Sequence, residues 1–269
     1  MKTAAALALA LVMGAAPAAL AEPALSGPNR IVIASDSTAA DYSARSFPQM
    51  GWGMVLKCSL KPEAQIVNLA RGGRSTKTFQ EEGLWSVLMA QLKPDDTVLI
   101  QFGHNDADTK KIVRFTDPNG AYADNLRRFV ADVRTAGAKP VLITPIAKLI
   151  FKDGQVQDTH GPYSATVRRV AAETKTPLID LDRESQARLQ AVGEAQGAKY
   201  FMIYSAADKI ASHPEGINDT THPNELGARM AAGIVAKGLR GAGVPASKLV
   251  LPGEADASAR GEPTCAGRP

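Results

Sequence analysis

Short apolar runs recur along the chain, each closed off by turn-forming residues. They occupy Arg30–Ser35 and residues 65–69, 97–102, 140–144 and 177–181. A run that is largely apolar, rather than alternating, suits a strand covered on both faces, as in a parallel sheet. Between these runs apolar residues return at helical spacing. Ala121–Thr135 shows it, with Gly137 just beyond as a stop signal. Residues 163–174 repeat it, and residues 224–239 form a long amphipathic stretch followed by Gly241. Strands alternating with helices predict the α/β class: a three-layer α/β/α sandwich around a central parallel sheet of five strands. No repeat period or linker-like stretch interrupts the pattern, so one domain is expected.

The two ends depart from that pattern. Lys2, an apolar run over residues 4–16 and Ala19-Leu20-Ala21 before Glu22 have the order of a signal peptide: charge, apolar core, small-residue cleavage site. The expected division is therefore a signal peptide over 1–21, a catalytic domain over 22–251 and a tail over 252–269. Export to the periplasm or the medium follows, and no later run is long enough to span a membrane. The tail is rich in Gly, Pro, Ala and charge, and is expected to be poorly ordered unless Cys265 pins it. Only Cys58 and Cys265 are present. An oxidising compartment would permit a bridge between them, which the sequence leaves open, and two isolated cysteines do not make a zinc site.

Charge narrows the partners. Lys and Arg number 31 against 27 Asp and Glu, a net +4 that becomes +3 without Lys2. So small and scattered an excess suits an acidic substrate such as a uronate polymer and gives no footprint for nucleic acid. A monomer is expected.

Polar clusters sit where the apolar runs end, which in open α/β sheets is where function gathers. They are Asp36-Ser37-Thr38, Ala70-Arg71-Gly72-Gly73-Arg74-Ser75 and Gly103-His104-Asn105-Asp106. A fourth, Asp219-Thr220-Thr221-His222-Pro223-Asn224, precedes the last helix. Ser37 lies where a strand turns, expected to lead into a helix, and a serine hydroxyl needs an adjacent base to act as a nucleophile. Asp219, three residues before His222, can accept Nδ1–H of the imidazole and leave Nε2 free to take the serine proton. Backbone N–H groups of Ser37 and Gly73 and the Asn105 amide would supply donors for an oxyanion. Taken singly, each residue has an ordinary explanation: a helix cap or turn for Ser37, a turn for Gly72-Gly73, a loop cap for Asn105. The order of all four clusters along one chain is what carries the chemistry.

These blocks resemble those of the SGNH (GDSL-like) hydrolases, and within them the rhamnogalacturonan acetylesterases. The likeness runs over residues 31–239. It rests on Ile33-Ala34-Ser35-Asp36-Ser37-Thr38, Gly51-Trp52-Gly53, Asn68-Leu69-Ala70-Arg71-Gly72-Gly73-Arg74-Ser75, Gln101-Phe102-Gly103-His104-Asn105-Asp106 and Thr221-His222-Pro223-Asn224-Glu225-Leu226-Gly227-Ala228. The resemblance implies a flavodoxin-like fold and a serine esterase that removes acetyl groups from pectic polysaccharide without metal or cofactor. By block position it implies Ser37 as nucleophile, Gly73 and Asn105 as oxyanion donors, and Asp219 and His222 as the acid–base pair. Ser35 stands where the family usually has Gly.

Other residues carry two readings each. His104 is read as a positioning or packing residue, His160 and His213 as surface histidines. Arg71 and Arg74 either meet a uronate carboxylate or are solvated loop charges; Trp52 and Trp85 either stack on sugars or pack in the core. Rival functions are an SGNH esterase acting on xylan acetyl groups, small esters, thioesters or lysophospholipids, and a carbohydrate-binding protein without catalysis. Nucleotide binding has no phosphate loop to support it.

Overall fold

A computed structural model of the chain describes residues 29–253 and 257–266. The expected signal peptide lies outside the described residues. In chain order the strands are β1 Arg30–Ser35, β2 Gln65–Asn68, β3 Thr97–Gln101, β4 Lys139–Ile143, β5 Phe151–Lys152, β6 Gln155–Val156, β7 Leu178–Ile179, β8 Phe201–Tyr204 and β9 Ile217–Pro223. The α-helices are α1 Trp52–Val55, α2 Thr76–Glu81, α3 Leu84–Gln91, α4 Ala121–Thr135, α5 Gly161–Glu173, α6 Leu181–Gly197 and α7 Glu225–Arg240.

Five strands form one sheet in the order β2-β1-β3-β4-β7, every pairing parallel. This is the flavodoxin-like order, and its switch point lies between β1 and β3. Alternate residues of the strands face opposite layers. Ile31, Ile33, Leu99, Val141 and Ile143 pack with α1 and α7. Val32, Ala34, Val98, Ile100 and Leu142 pack with α2 to α5. Each of these buried Val, Leu and Ile side chains contributes roughly 1.5–3 kcal/mol.

Element boundaries shift where a cap intervenes. The fifth strand of the sheet stops at Ile179, because the Asp180 carboxylate accepts the Arg183 N–H and starts α6, so Leu181 is helical. Helix α6 and the hairpins β5–β6 and β8–β9 have no counterpart in the apolar pattern; α6 is mostly polar and β5 and β6 are two residues each. Cys58 and Cys265 are bonded, across 207 residues of sequence. The tail they anchor is also read by α7. Glu225 accepts the Arg260 and Gly261 N–H groups, and Arg229 donates to the Glu262 and Thr264 carbonyls.

Candidate active site

Strand β1 delivers Asp36 and Ser37 into a turn at the edge of the sheet. Asp36 Oδ1 accepts the Thr38 N–H at 2.9 Å and its hydroxyl at 2.8 Å, an Asp-initiated turn that presents Ser37. Beneath it, Gln101 at the end of β3 gathers the neighbours. Its Oε1 accepts from Ser35 Oγ at 3.0 Å and Trp52 Nε1 at 2.8 Å, and its Nε2 donates to Thr38 Oγ1. Ser35 lies in regular strand, so the glycine of the family pattern is not needed for its backbone, and its hydroxyl has a partner. No helix follows Ser37 at once; α1 begins only at Trp52, after a single 3-10 turn. Its approach is very close. A Cβ on Gly51 would lie 2.2 Å from the Ala40 carbonyl oxygen, and one on Gly53 2.5 Å from that of Ala39.

The partner of Ser37 comes from outside the main sheet. In the β8–β9 hairpin Met202 pairs with Asp219 and Phe201 with Pro223, so Thr220, Thr221 and His222 bulge out between them. Asp219 Oδ1 ties the bulge by accepting the Thr221 and His222 N–H groups. Its other oxygen lies 2.6 Å from His222 Nδ1, and His222 Nε2 lies 2.9 Å from Ser37 Oγ. Burial pushes the Asp219 carboxyl up, but the bonds from the His222 ring and backbone and from Thr221 outweigh it and hold it at about 2.

Gly73 and Asn105 are brought to the same edge. Gly73 has φ +79°, a left-handed conformation that favours glycine. A Cβ on Gly72 would lie 3.7 Å from Ser37 Cβ, which places this loop beside the nucleophile position. Asn105 Nδ2 donates one hydrogen to the Arg74 carbonyl at 2.9 Å, locking it to the Gly72-Gly73 loop and leaving its second hydrogen for another acceptor. Asp106 fixes the same junction from below, accepting from the Thr76 N–H, the Thr76 hydroxyl and the Thr116 hydroxyl. Its carboxyl is fully buried, and burial pushes it up to about 7 against those bonds.

The structure corrects the reading of His160 and decides between the two readings of other residues. His160 is not a surface histidine: it is buried, and its Nε2 lies 3.1 Å from Nδ1 of buried His104. Burial holds the His104 imidazole well below its usual range and His160 at about 3, so both are neutral. His213 is half-buried and meets Ser212. Trp52 and Trp85 both pack in the core. Arg74 is engaged by Glu82 and the Gly72 carbonyl, whereas Arg71 is exposed. One contact had no signal in the sequence. Tyr42 Oη donates to the Ser37 carbonyl at 2.9 Å, and desolvation pushes its phenol up to about 12. Among the described residues no group of three or more His, Cys, Asp or Glu could hold a metal ion, and no helix is long and apolar enough to cross a membrane.

With this geometry in place, residues 36–230 match the GDSL-like lipase/acylhydrolase family, most of the chain. The chain belongs to that family. It is a carboxylic ester hydrolase. It is 38% identical to the "Probable rhamnogalacturonan acetylesterase YesY" of Bacillus subtilis (strain 168), over 83% of this chain and 98% of that one. It is 32% identical to the rhamnogalacturonan acetylesterase RhgT of the same organism, over 81% and 92%. Among solved structures, protein YxiM of Bacillus subtilis superposes with a TM-score of 0.69 at 26% identity, covering 82% of this chain and 58% of that one. The acetylxylan esterase Axe2 of Geobacillus stearothermophilus shares the fold, with a TM-score of 0.57 at 20% identity over 80% and 95%.

Proposed function

We propose that the chain is a carbohydrate acetylesterase that removes acetyl groups from rhamnogalacturonan through an acetyl-serine intermediate. The observation that carries the reading is the unbroken chain of contacts from Asp219 through His222 to Ser37. His222 Nε2 takes the Ser37 proton as Oγ attacks the acetyl carbonyl, and ionised Asp219 steadies the imidazolium. The developing oxyanion receives the Ser37 N–H, the Gly73 N–H and the free hydrogen of the Asn105 amide. Collapse expels the sugar oxygen, which takes the proton from His222. Water activated by the same imidazole then frees acetate. The choice of pectic substrate draws its support from the two Bacillus subtilis relatives named for it, each matched over nearly its whole length. Residues 22–251 would form the catalytic domain. Export is supported by the leader pattern of residues 1–21 and by the Cys58–Cys265 bond.

The test is acetate release from acetylated rhamnogalacturonan, acetylated xylan and 4-nitrophenyl acetate by wild type and Ser37→Ala. Preference for the pectic polymer, lost by at least about a thousandfold in the variant, is the expected result. Substantial turnover by Ser37→Ala would remove the nucleophile from its role. Turnover of the small ester alone would keep the triad and reject the substrate.

A further inference from the structure

Two of the oxyanion donors meet at one residue. The Gly73 N–H belongs to the peptide that joins Gly72 to Gly73. No Cβ stands on either side of that peptide, and Gly73 sits at φ +79°, so its own backbone does little to stop it from rotating. A peptide group is planar, and this one is trans, so its N–H and its C=O point in opposite directions. A donor fixed on the Gly72 oxygen therefore sets the direction of the Gly73 hydrogen. Arg74 supplies that donor: its Nη1 lies 2.7 Å from the Gly72 carbonyl oxygen. The guanidinium is itself held, because Nε donates at 2.8 Å to Glu82 Oε2, at the end of α2. Asp106 anchors the start of the same helix by accepting the Thr76 N–H. From its main chain, Arg74 offers its carbonyl to Asn105 Nδ2 at 2.9 Å.

Arg114 also reaches this loop, but on a different peptide. Its Nη1 faces the Gly73 carbonyl at 3.4 Å, and the N–H of that peptide, which belongs to Arg74, already donates to the Arg71 carbonyl. The Arg74–Glu82 pair is more than a third exposed on both sides, so it adds little to the stability of the fold. What Arg74 does at close range is hold the carbonyl. We infer that Arg74 is a positioning residue for the reaction. Its guanidinium locks the Gly72–Gly73 peptide with the N–H turned to the oxyanion and, as a cation on the carbonyl, strengthens that N–H as a donor while charge develops. This role rests on the esterase reading of Ser37.

The experiment compares wild type, Arg74→Met, Arg74→Lys, Arg114→Met and Arg71→Met as full chains. Steady-state hydrolysis of 4-nitrophenyl acetate gives kcat and KM. Inhibition by phenylboronic acid, which adds to a serine Oγ as a tetrahedral anion, reads the oxyanion donors directly, and thermal unfolding reports on the fold. Arg74→Met is expected to lower kcat and kcat/KM together by about tenfold to a hundredfold, short of the loss on the order of 10²–10³ that follows removal of a donor outright. KM should stay as it is, and Ki for the boronate should rise by the same factor. Arg74→Lys keeps a donor for the Gly72 carbonyl and should recover part of both, whereas Arg71→Met, which removes an exposed charge from the same edge, should match wild type. A merely structural role would lower the amount of active enzyme and so kcat, and would leave Ki unmoved; that outcome overturns the assignment. So does an unaltered Arg74→Met, or a rise in Ki that follows Arg114→Met instead. A wild type without any turnover would reject the esterase reading, and the positioning role with it.

Discussion

At Ser37 one peptide group is held from both ends. Tyr42 donates to its carbonyl and Asp36 accepts the N–H of Thr38, so the turn that aims the hydroxyl has little room to relax. The acid–base pair is fixed with similar economy, since one Asp219 oxygen ties the bulge and the other faces the ring. Because Asp219 is held at about 2, it stays ionised across the working range. Asp219 therefore does not limit the acid side of the pH profile, and activity that rises with pH between about 5 and 8 is the behaviour expected of catalysis by a histidine base. A rate flat between about pH 5 and 8 would speak against a histidine base. Asp219→Asn keeps the size but offers the imidazole the wrong partner, and kcat should drop by about 10⁴, the scale seen for the same change in a serine protease triad. Steady-state kinetics with 4-nitrophenyl acetate would show it. Ser37, Gly73, Asn105, Asp219 and His222 were legible because each sits in a polar cluster that closes an apolar run or opens the last helix. Tyr42 was not, because its partner is a backbone carbonyl, which any residue has. His160 was misread because a histidine in a polar loop looks solvated, and the partner that buries it, His104, lies 56 residues away.

Helix α7 joins the catalytic edge to the end of the chain. Asn224 caps it through the Gly227 N–H, two residues after His222, and its first turns carry the buried Glu225–Arg229 pair that receives the tail. The helix lies hard against the turn that leads into β8: a Cβ on Gly227 would clash with the Tyr200 carbonyl. Arg229→Met leaves Glu225 buried without its cation and should cost about 3–5 kcal/mol, seen as a lower midpoint in denaturant unfolding. An unchanged midpoint would mean that the backbone donors of Arg260 and Gly261 satisfy the carboxylate alone. Of the elements, α4, α5 and α7 were legible by their period and the sheet strands as unbroken apolar runs closed by turn residues. The two hairpins were not, since strands of two residues have no period and β9 carries its bulge where alternation would be read. The tail was legible only as a condition, order if Cys265 is held, and three kinds of contact hold it.

Over the molecule as a whole, buried carboxyls set how stability varies with pH. Asp106 is pushed up by burial to about 7 from an ordinary value of 3.8, so folding favours its protonated form. That contribution is complete below about pH 4 and is lost as pH rises through about 7. Asp36, also raised by burial, acts in the same sense, whereas Asp219 contributes above about pH 4 and loses its contribution only as pH falls towards 2. The buried His104 and His160, lowered by desolvation, act in the opposite sense below about pH 6.5, so a variant isolates Asp106: the gap between thermal midpoints at about pH 5 and 8 should shift in Asp106→Asn, relative to wild type, towards greater stability at the higher value. A gap of the same size in the variant would remove Asp106 as a source of it.

The bulge that carries His222 also has a consequence for synthesis. All five strands of the main sheet are complete by Ile179, but α7, which covers one face of that sheet, and the histidine that serves Ser37 come only after residue 216. A chain emerging from its N-terminal end therefore carries a finished sheet with one face covered only by α1 and the turn after it, and a serine that has nothing to take its proton. Cover and base arrive together in the final quarter. Ester turnover is thus a gauge of completed folding, and a truncated chain of this kind would be adhesive before it was ever reactive.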